Sequence, residues 1–212
     1  MYKTSSDILS VTADLLPPLI LASRSPRRAA LLTQMGFDFR IVPVEIAENF
    51  PPRADPIATV KTLSTRKAEA ALPDVSNGLI IGADTVVVLK GEMLGKPRSP
   101  EDAASMLQKL SGNTHEVFTG FTLIDAKDGE RLSDIERTRV TFRKLEDWEI
   151  SDYVESGMPM DKAGAYGIQD RSGLFVDRIE GCFYNVVGFP MTRFYEALKK
   201  IWGNEKLRGM QK

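Results

Sequence analysis

Residues 79–89 read Leu79-Ile80-Ile81-Gly82-Ala83-Asp84-Thr85-Val86-Val87-Val88-Leu89. Leu79-Ile80-Ile81 and Val86-Val87-Val88-Leu89 are short apolar runs rich in β-branched residues, and both predict buried strand. Gly82-Ala83-Asp84-Thr85 interrupts them. An ionised carboxylate in such a run needs a partner or water. Asp84 is therefore either a general base or metal ligand at a strand end beside a cleft, or the aspartate of a turn or bulge kinked at Gly82. The immediate resumption of the strand pattern favours the first reading.

Upstream, Pro18-Leu19-Ile20-Leu21-Ala22 predicts a short buried strand and Ala29 to Met35 a helix. Ser25 fits the N-cap and Pro26 the first helical position. Arg27 and Arg28 then fall in the first turn, with Arg24 nearby, where the helix dipole disfavours cations by about 0.3–1 kcal/mol each. Ser99-Pro100-Glu101-Asp102 opens another helix with the expected acidic charge. The arginines either point into solvent or await an anion at the helix start, where bound phosphate would reverse the sign of their effect.

The rest of the chain alternates helices and strands. A strand is expected at Phe39 to Val42 after a stop at Gly36, and a helix over 56–71 with Lys67 on its apolar stripe. Lys90-Gly91-Glu92 reads as a turn. Long strands at 115–125 and 135–143 flank Asp128-Gly129, a helix is expected over 146–156, a strand at Leu174-Phe175-Val176 and a last helix over 190–202. Hairpins among the alternating elements make the class mixed α/β. Lys67 and Lys96, singly, read as surface lysines with buried stems; with Arg27 and Arg28 they form a candidate polyphosphate cradle. In Asp161-Lys162-Ala163-Gly164-Ala165-Tyr166-Gly167-Ile168-Gln169 the small residues allow close backbone approach, and the Gln169 amide is able to read a base edge.

The chain has 212 residues, 42% of them hydrophobic and 27% charged, with a net charge of -1. That suits a globular protein and gives no global basic field for nucleic acid. One cysteine, Cys182, excludes an intrachain disulfide, and one histidine, His115, argues against a His-rich metal site. His115 reads as a hydrogen-bonded structural residue. No apolar run suits a signal peptide or a membrane span, so a cytoplasmic location without membrane contact is expected. Residues 1–17 are expected to form an extension, 18–202 the domain and 203–212 a frayed polar tail.

In this order, the stretches resemble one family, the Maf nucleoside triphosphate pyrophosphatases. The matching pieces are LILASRSPRRAALL (19–32), Glu45-Ile46-Ala47-Glu48, Arg66-Lys67-Ala68, IGADTVVV (81–88), LGKP (94–97), SGNTHEVFTG (111–120), DKAGAYGIQ (161–169) and NVVGFP (185–190). The resemblance implies an elongated central sheet with flanking helices forming two lobes around a cleft, similar to the inosine triphosphate pyrophosphatases. It implies hydrolysis of a nucleoside triphosphate to the monophosphate and pyrophosphate, with Mg2+ or Mn2+, by a homodimer. By position, Asp84 matches the proton acceptor, Arg27, Thr85 and Gln169 the positions tied to substrate choice, Glu48 and Asp84 the metal site, and Ser23, Arg28, Lys67 and Lys96 the phosphate site. The form of 161–169 resembles the branch that takes dTTP and UTP. Arg24 stands where the family more often has a small residue. The alternative is a non-catalytic nucleotide-binding regulator of cell division.

Overall fold

In a computed structural model, residues 16–48, 50–51, 53–204 and 207 are described. Most of the expected extension and tail lies outside them, but Leu207 is buried against the core rather than frayed. Seven strands form one sheet: β1 (Leu19–Leu21), β2 (Phe39–Ile41), β3 (Leu79–Leu89), β4 (Glu92–Leu94), β5 (Thr114–Asp125), β6 (Arg131–Phe142) and β7 (Val176–Glu180). The α-helices among the described residues are α1 (Pro26–Gln34), α2 (Pro56–Ala71), α3 (Pro100–Leu110), α4 (Asp147–Glu155), α5 (Phe183–Val187) and α6 (Met191–Trp202). None is long and apolar enough to cross a membrane.

Strand order is β2-β1-β3-β5-β6-β7, with β4 also on β3. The β1 pairings to β2 and β3 are parallel, joined by helical crossovers; the other pairings are antiparallel. This split is the physical content of the mixed α/β class.

β3 is one continuous strand through Asp84, so the expected interruption is absent. Its even positions face α2: Ile80 packs with Ala68 and Ala71, and Val86 and Val88 with Val60. Its odd positions face the other side, Leu79, Ile81 and Ala83 meeting Phe189 and Phe194, and Val87 and Leu89 meeting Leu107 and Phe142. Gly82 is not a kink. A Cβ there would lie 2.2 Å from the Ser64 carbonyl oxygen, and one on Gly120 of β5 would lie 2.8 Å from the Val60 backbone. These two glycines let α2 sit directly on the sheet.

β5 pairs with β3 along residues 79–88, whereas β1 covers its other edge only at 79–81 and β4 only at 87–89. The edge between them, around Ala83 to Thr85, opens into a cleft. One apolar core surrounds β1, α1 and α6, and a second lies among α3, α4 and β6, giving the two expected lobes.

Other expectations shift locally. Glu92, read as turn, begins β4, and β6 starts at Arg131, because Gly129 at φ 78 closes a tight turn onto the Asp125 carbonyl. Leu174-Phe175 belongs to a 3-10 turn over 171–175 that the Asp170 side chain caps at Ser172 N, so strand begins only at Val176. The short α5 had no expectation.

Candidate active site

The floor of the cleft is built by β3 and α2. Facing the sheet, Lys67 is 8% exposed and Asp84 6%. Lys67 Nζ lies 2.5 Å from Asp84 Oδ1 and 2.5 Å from Glu48 Oε1, and Lys96 Nζ lies 3.4 Å from Glu48 Oε2. The inward lysine of α2 is thus held by two carboxylates, which compensates its burial. Burial pushes the Asp84 carboxyl above its ordinary range, against the pull of Lys67 and Arg28. Burial acts the same way on Glu48, but Lys67 and Lys96 outweigh it and hold that carboxyl below the usual range. Two neighbouring carboxylates of opposite tendency suit two roles: Asp84 is the better proton acceptor and Glu48 the more permanent anion.

α1 begins at the other rim of the gap. Ser25 Oγ accepts from Arg28 N, capping the helix. The three arginines then diverge. Arg24 pairs with Glu45 at 3.1 Å on the exposed rim. Arg27 reaches across to Asp161, 2.7 Å from Nη1 to Oδ2, with a second bond from Nη2 to the Asp161 carbonyl at 3.3 Å. Arg28 turns inward: its Nε donates to the Gly188 carbonyl at 2.9 Å, Nη2 to Thr85 Oγ1 at 3.1 Å and Nη1 to Ser23 Oγ at 3.4 Å. Thr85 lies on the sheet face opposite Asp84, and its hydroxyl also meets Thr119 Oγ1 at 2.9 Å. Arg28 and Asp84 thereby flank the bare edge of β3 from its two faces.

Ser23, Arg27, Arg28, Glu48, Lys67, Asp84, Thr85, Lys96 and Gln169 all line this one cavity of about 700 Å³. Seven cationic and four anionic side chains line it, a surplus of three positive charges in a chain of net charge -1, so the cavity suits an anion. Each of these cations but one has a carboxylate partner. Arg28 has none among the described residues, only neutral oxygens, and its burial disfavours the charged form. An incoming phosphate meets its least compensated charge there.

The third wall is the 161–169 segment. Gly164 at φ 69 and Ala165 at φ 61 adopt left-handed backbone. Gly164 N donates to the Gly95 carbonyl at 3.0 Å, and a Cβ on Gly164 would press on Val87 at 3.0 Å. Gln169 is exposed on this wall and Tyr166 buried in it. Sequence reasoning assigned no role to Asp161, Lys162, Tyr166 or the Gly188 carbonyl. Asp161, Lys162 and Tyr166 sit inside the quoted DKAGAYGIQ stretch and Gly188 inside NVVGFP; Lys162 pairs locally with Asp161 and Asp170, but Asp161, Tyr166 and Gly188 meet Arg27, His115 and Arg28 from far off along the chain. His115 is the buried, hydrogen-bonded residue expected.

Among the described residues no three His, Cys, Asp or Glu side chains cluster as a ready metal cage. Glu48 and Asp84 nevertheless converge on one cation, the Lys67 ammonium. Two carboxylates with phosphate oxygens and water to complete the shell fit a hard divalent ion such as magnesium.

A family profile described as Maf-like protein matches residues 18–201. Proteins named dTTP/UTP pyrophosphatase resemble the chain over most of its length. The one from Carboxydothermus hydrogenoformans is 47% identical over 185 residues, which cover 87% of this chain and 98% of that protein. The one from Pelotomaculum thermopropionicum is 46% identical, covering 88% and 97%. The one from Bdellovibrio bacteriovorus is 43% identical, covering 87% and 99%.

Proposed function

Because the chain belongs to the Maf-like proteins, we propose that it hydrolyses dTTP and UTP between the α and β phosphates, releasing the monophosphate and pyrophosphate. The observation that carries this reading is the convergence of all nine expected residues on one cationic cavity floored by a buried carboxylate.

Hydrolysis of a phosphoanhydride needs charge neutralisation and a positioned water more than covalent chemistry. Arg28 would grip the phosphates through its fork, held in place by Gly188, Thr85 and Ser23. Arg27, Lys67 and Lys96 would exchange their carboxylate partners for phosphate oxygens. Asp84 would take a proton from water as the water oxygen bonds to the α phosphorus. The bond from that phosphorus to the bridging oxygen breaks, and pyrophosphate carries the electron pair away. The raised affinity of Asp84 for a proton suits the task. Glu48 would hold a magnesium or manganese ion, leaving Asp84 free as the base; when bound, the ion supplies neutralisation of phosphate charge. Gln169 would read the base edge. A cytoplasmic homodimer is part of the same proposal, with sedimentation equilibrium as its check.

The test is Asp84→Asn, assayed for pyrophosphate release from dTTP and UTP with magnesium. The variant is expected to keep its circular dichroism spectrum and lose about 10²–10⁴-fold in turnover. A rate within threefold of the unsubstituted protein would remove Asp84 from the chemistry.

A further inference from the structure

The lobe that carries the 161–169 wall contains a buried polar pair which the proposed chemistry does not use. His115, on β5, is 1% exposed and Tyr166 is 6% exposed. His115 Nε2 lies 2.8 Å from the Tyr166 hydroxyl oxygen, while Nδ1 is buried without a partner among the described residues. Tyr166 is thus the one hydrogen-bond partner of the ring among the described residues. The two rings also meet edge to face, and Phe142 packs edge to face against both. Burial lowers the imidazole pKa to about 4, so the ring is neutral at ordinary pH and acts by hydrogen bonding alone.

Tyr166 belongs to the cavity wall, between the left-handed Gly164-Ala165 pair and Gln169. Three tethers hold this stretch. Gly164 N donates to the Gly95 carbonyl, Gly167 exchanges two hydrogen bonds with Ser172 Oγ, and Tyr166 meets His115. Gly164 also packs against Val87 of β3, but the last is the one of these three hydrogen-bonded tethers that ends on a strand residue, His115 of β5. In register, Val117 of β5 faces Val87 of β3, so His115 stands two residues beyond that pairing, on the strand that backs the bare edge. A left-handed alanine costs free energy and persists only where its surroundings over-determine it.

We propose that His115 is a positioning residue for base recognition: through Tyr166 it fixes the 163–169 wall, and with it Gln169, at a set distance from the Asp84 strand. This rests on the proposed activity for its substrate class, the pyrimidine nucleoside triphosphates. Its signature is a loss of base discrimination with the phosphate contacts intact, because Arg28, Lys67 and Lys96 have their partners outside this wall.

The experiment measures binding of α,β-imido-dUTP, α,β-imido-dGTP and pyrophosphate by calorimetry, with melting temperature and dTTP turnover recorded alongside. For Tyr166→Phe, which removes one hydroxyl, and for His115→Leu, the preference for the uracil over the guanine analogue is expected to fall about tenfold, with pyrophosphate affinity unchanged. The double variant should fall no further than either single one, since the pair acts as a unit. His115→Gln, which keeps a hydrogen-bonding group, should restore most of the preference. A preference unchanged in Tyr166→Phe, with only the melting temperature lowered, would reduce the pair to packing and overturn the proposal. So would an equal loss for pyrophosphate, or absence of nucleotide binding in the unsubstituted protein. Analogue binding without dTTP turnover would instead refute the proposed hydrolysis and leave this inference to be decided by the same ratio.

Discussion

Two helices of this protein begin with Ser-Pro followed by two charged residues, and the charges are opposite. α3 starts Ser99-Pro100-Glu101-Asp102 and α1 starts Ser25-Pro26-Arg27-Arg28. Both are capped the same way: Ser99 Oγ accepts from Asp102 N at 3.2 Å, Ser25 Oγ from Arg28 N at 3.4 Å. The same backbone N–H, three residues on, is therefore satisfied in both places. In α3 the acids serve the helix, matching its dipole. In α1 the arginines work against the dipole, and each is retained by something across or under the cleft: Glu45, Asp161, or the oxygens of Gly188, Thr85 and Ser23. A local electrostatic cost that recurs at one helix start and not at its twin marks the place where a ligand, rather than the fold, sets the residue choice.

Making α1 resemble α3 is the strongest way to break this comparison. Arg28→Glu puts a carboxylate opposite Asp84 and removes the cavity cation that has no carboxylate partner among the described residues. Turnover of dTTP is expected to fall by about 10³-fold or more in a coupled pyrophosphate assay. A loss under tenfold would mean that Arg28 serves the fold and not the ligand. Removing the caps gives a smaller and more discriminating effect. Ser25→Ala and Ser99→Ala should each cost about 1 kcal/mol in urea unfolding. Only Ser25→Ala should also raise KM, because Ser25 lines the cavity and Ser99 does not. Equal kinetic effects from both would erase the distinction between the two helix starts.

The smallest effect concerns Asp102. The Arg98 backbone N–H holds its carboxyl below the usual aspartate range, against a lesser opposing effect of burial. A carboxylate that binds its proton more weakly in the fold than in the unfolded chain stabilises the fold when ionised. That contribution is present at neutral pH and is lost as the pH falls below about 4. Asp102→Asn should therefore lower stability at neutral pH by about 0.3–1 kcal/mol, and the gap from the unsubstituted protein should close in acid. A gap that persists in acid would assign the effect to the side chain's shape rather than its charge.

Much of this was legible in the chain itself. The Ser-Pro caps, the long strands and the inward placement of Lys67 follow from local chemistry, and all nine residues that the ordered motifs point to line the cavity. What stayed hidden depends on distance along the chain. Arg28 finds its main acceptor 160 residues away at Gly188, and Arg27 its carboxylate 134 residues away at Asp161. Gly82 looked like a kink because the helix that needs its missing side chain is not adjacent to it in sequence. Leu174-Phe175 looked like strand because apolar content is visible locally, whereas the Asp170 cap that winds it into a 3-10 turn depends on side-chain geometry. His115 could be read as buried and hydrogen-bonded, but not as bonded to the wall of the cleft.

The central claim is that the cationic start of α1 and the carboxylate of β3 act together on a triphosphate at its α phosphorus. It is tested most directly by incubating the unsubstituted protein with dTTP and magnesium in ¹⁸O-labelled water and resolving the products by anion exchange and mass spectrometry. The account predicts dTMP and pyrophosphate in equal amounts, with the label on dTMP. Release of dTDP and phosphate, label on pyrophosphate, or no hydrolysis at all would contradict it.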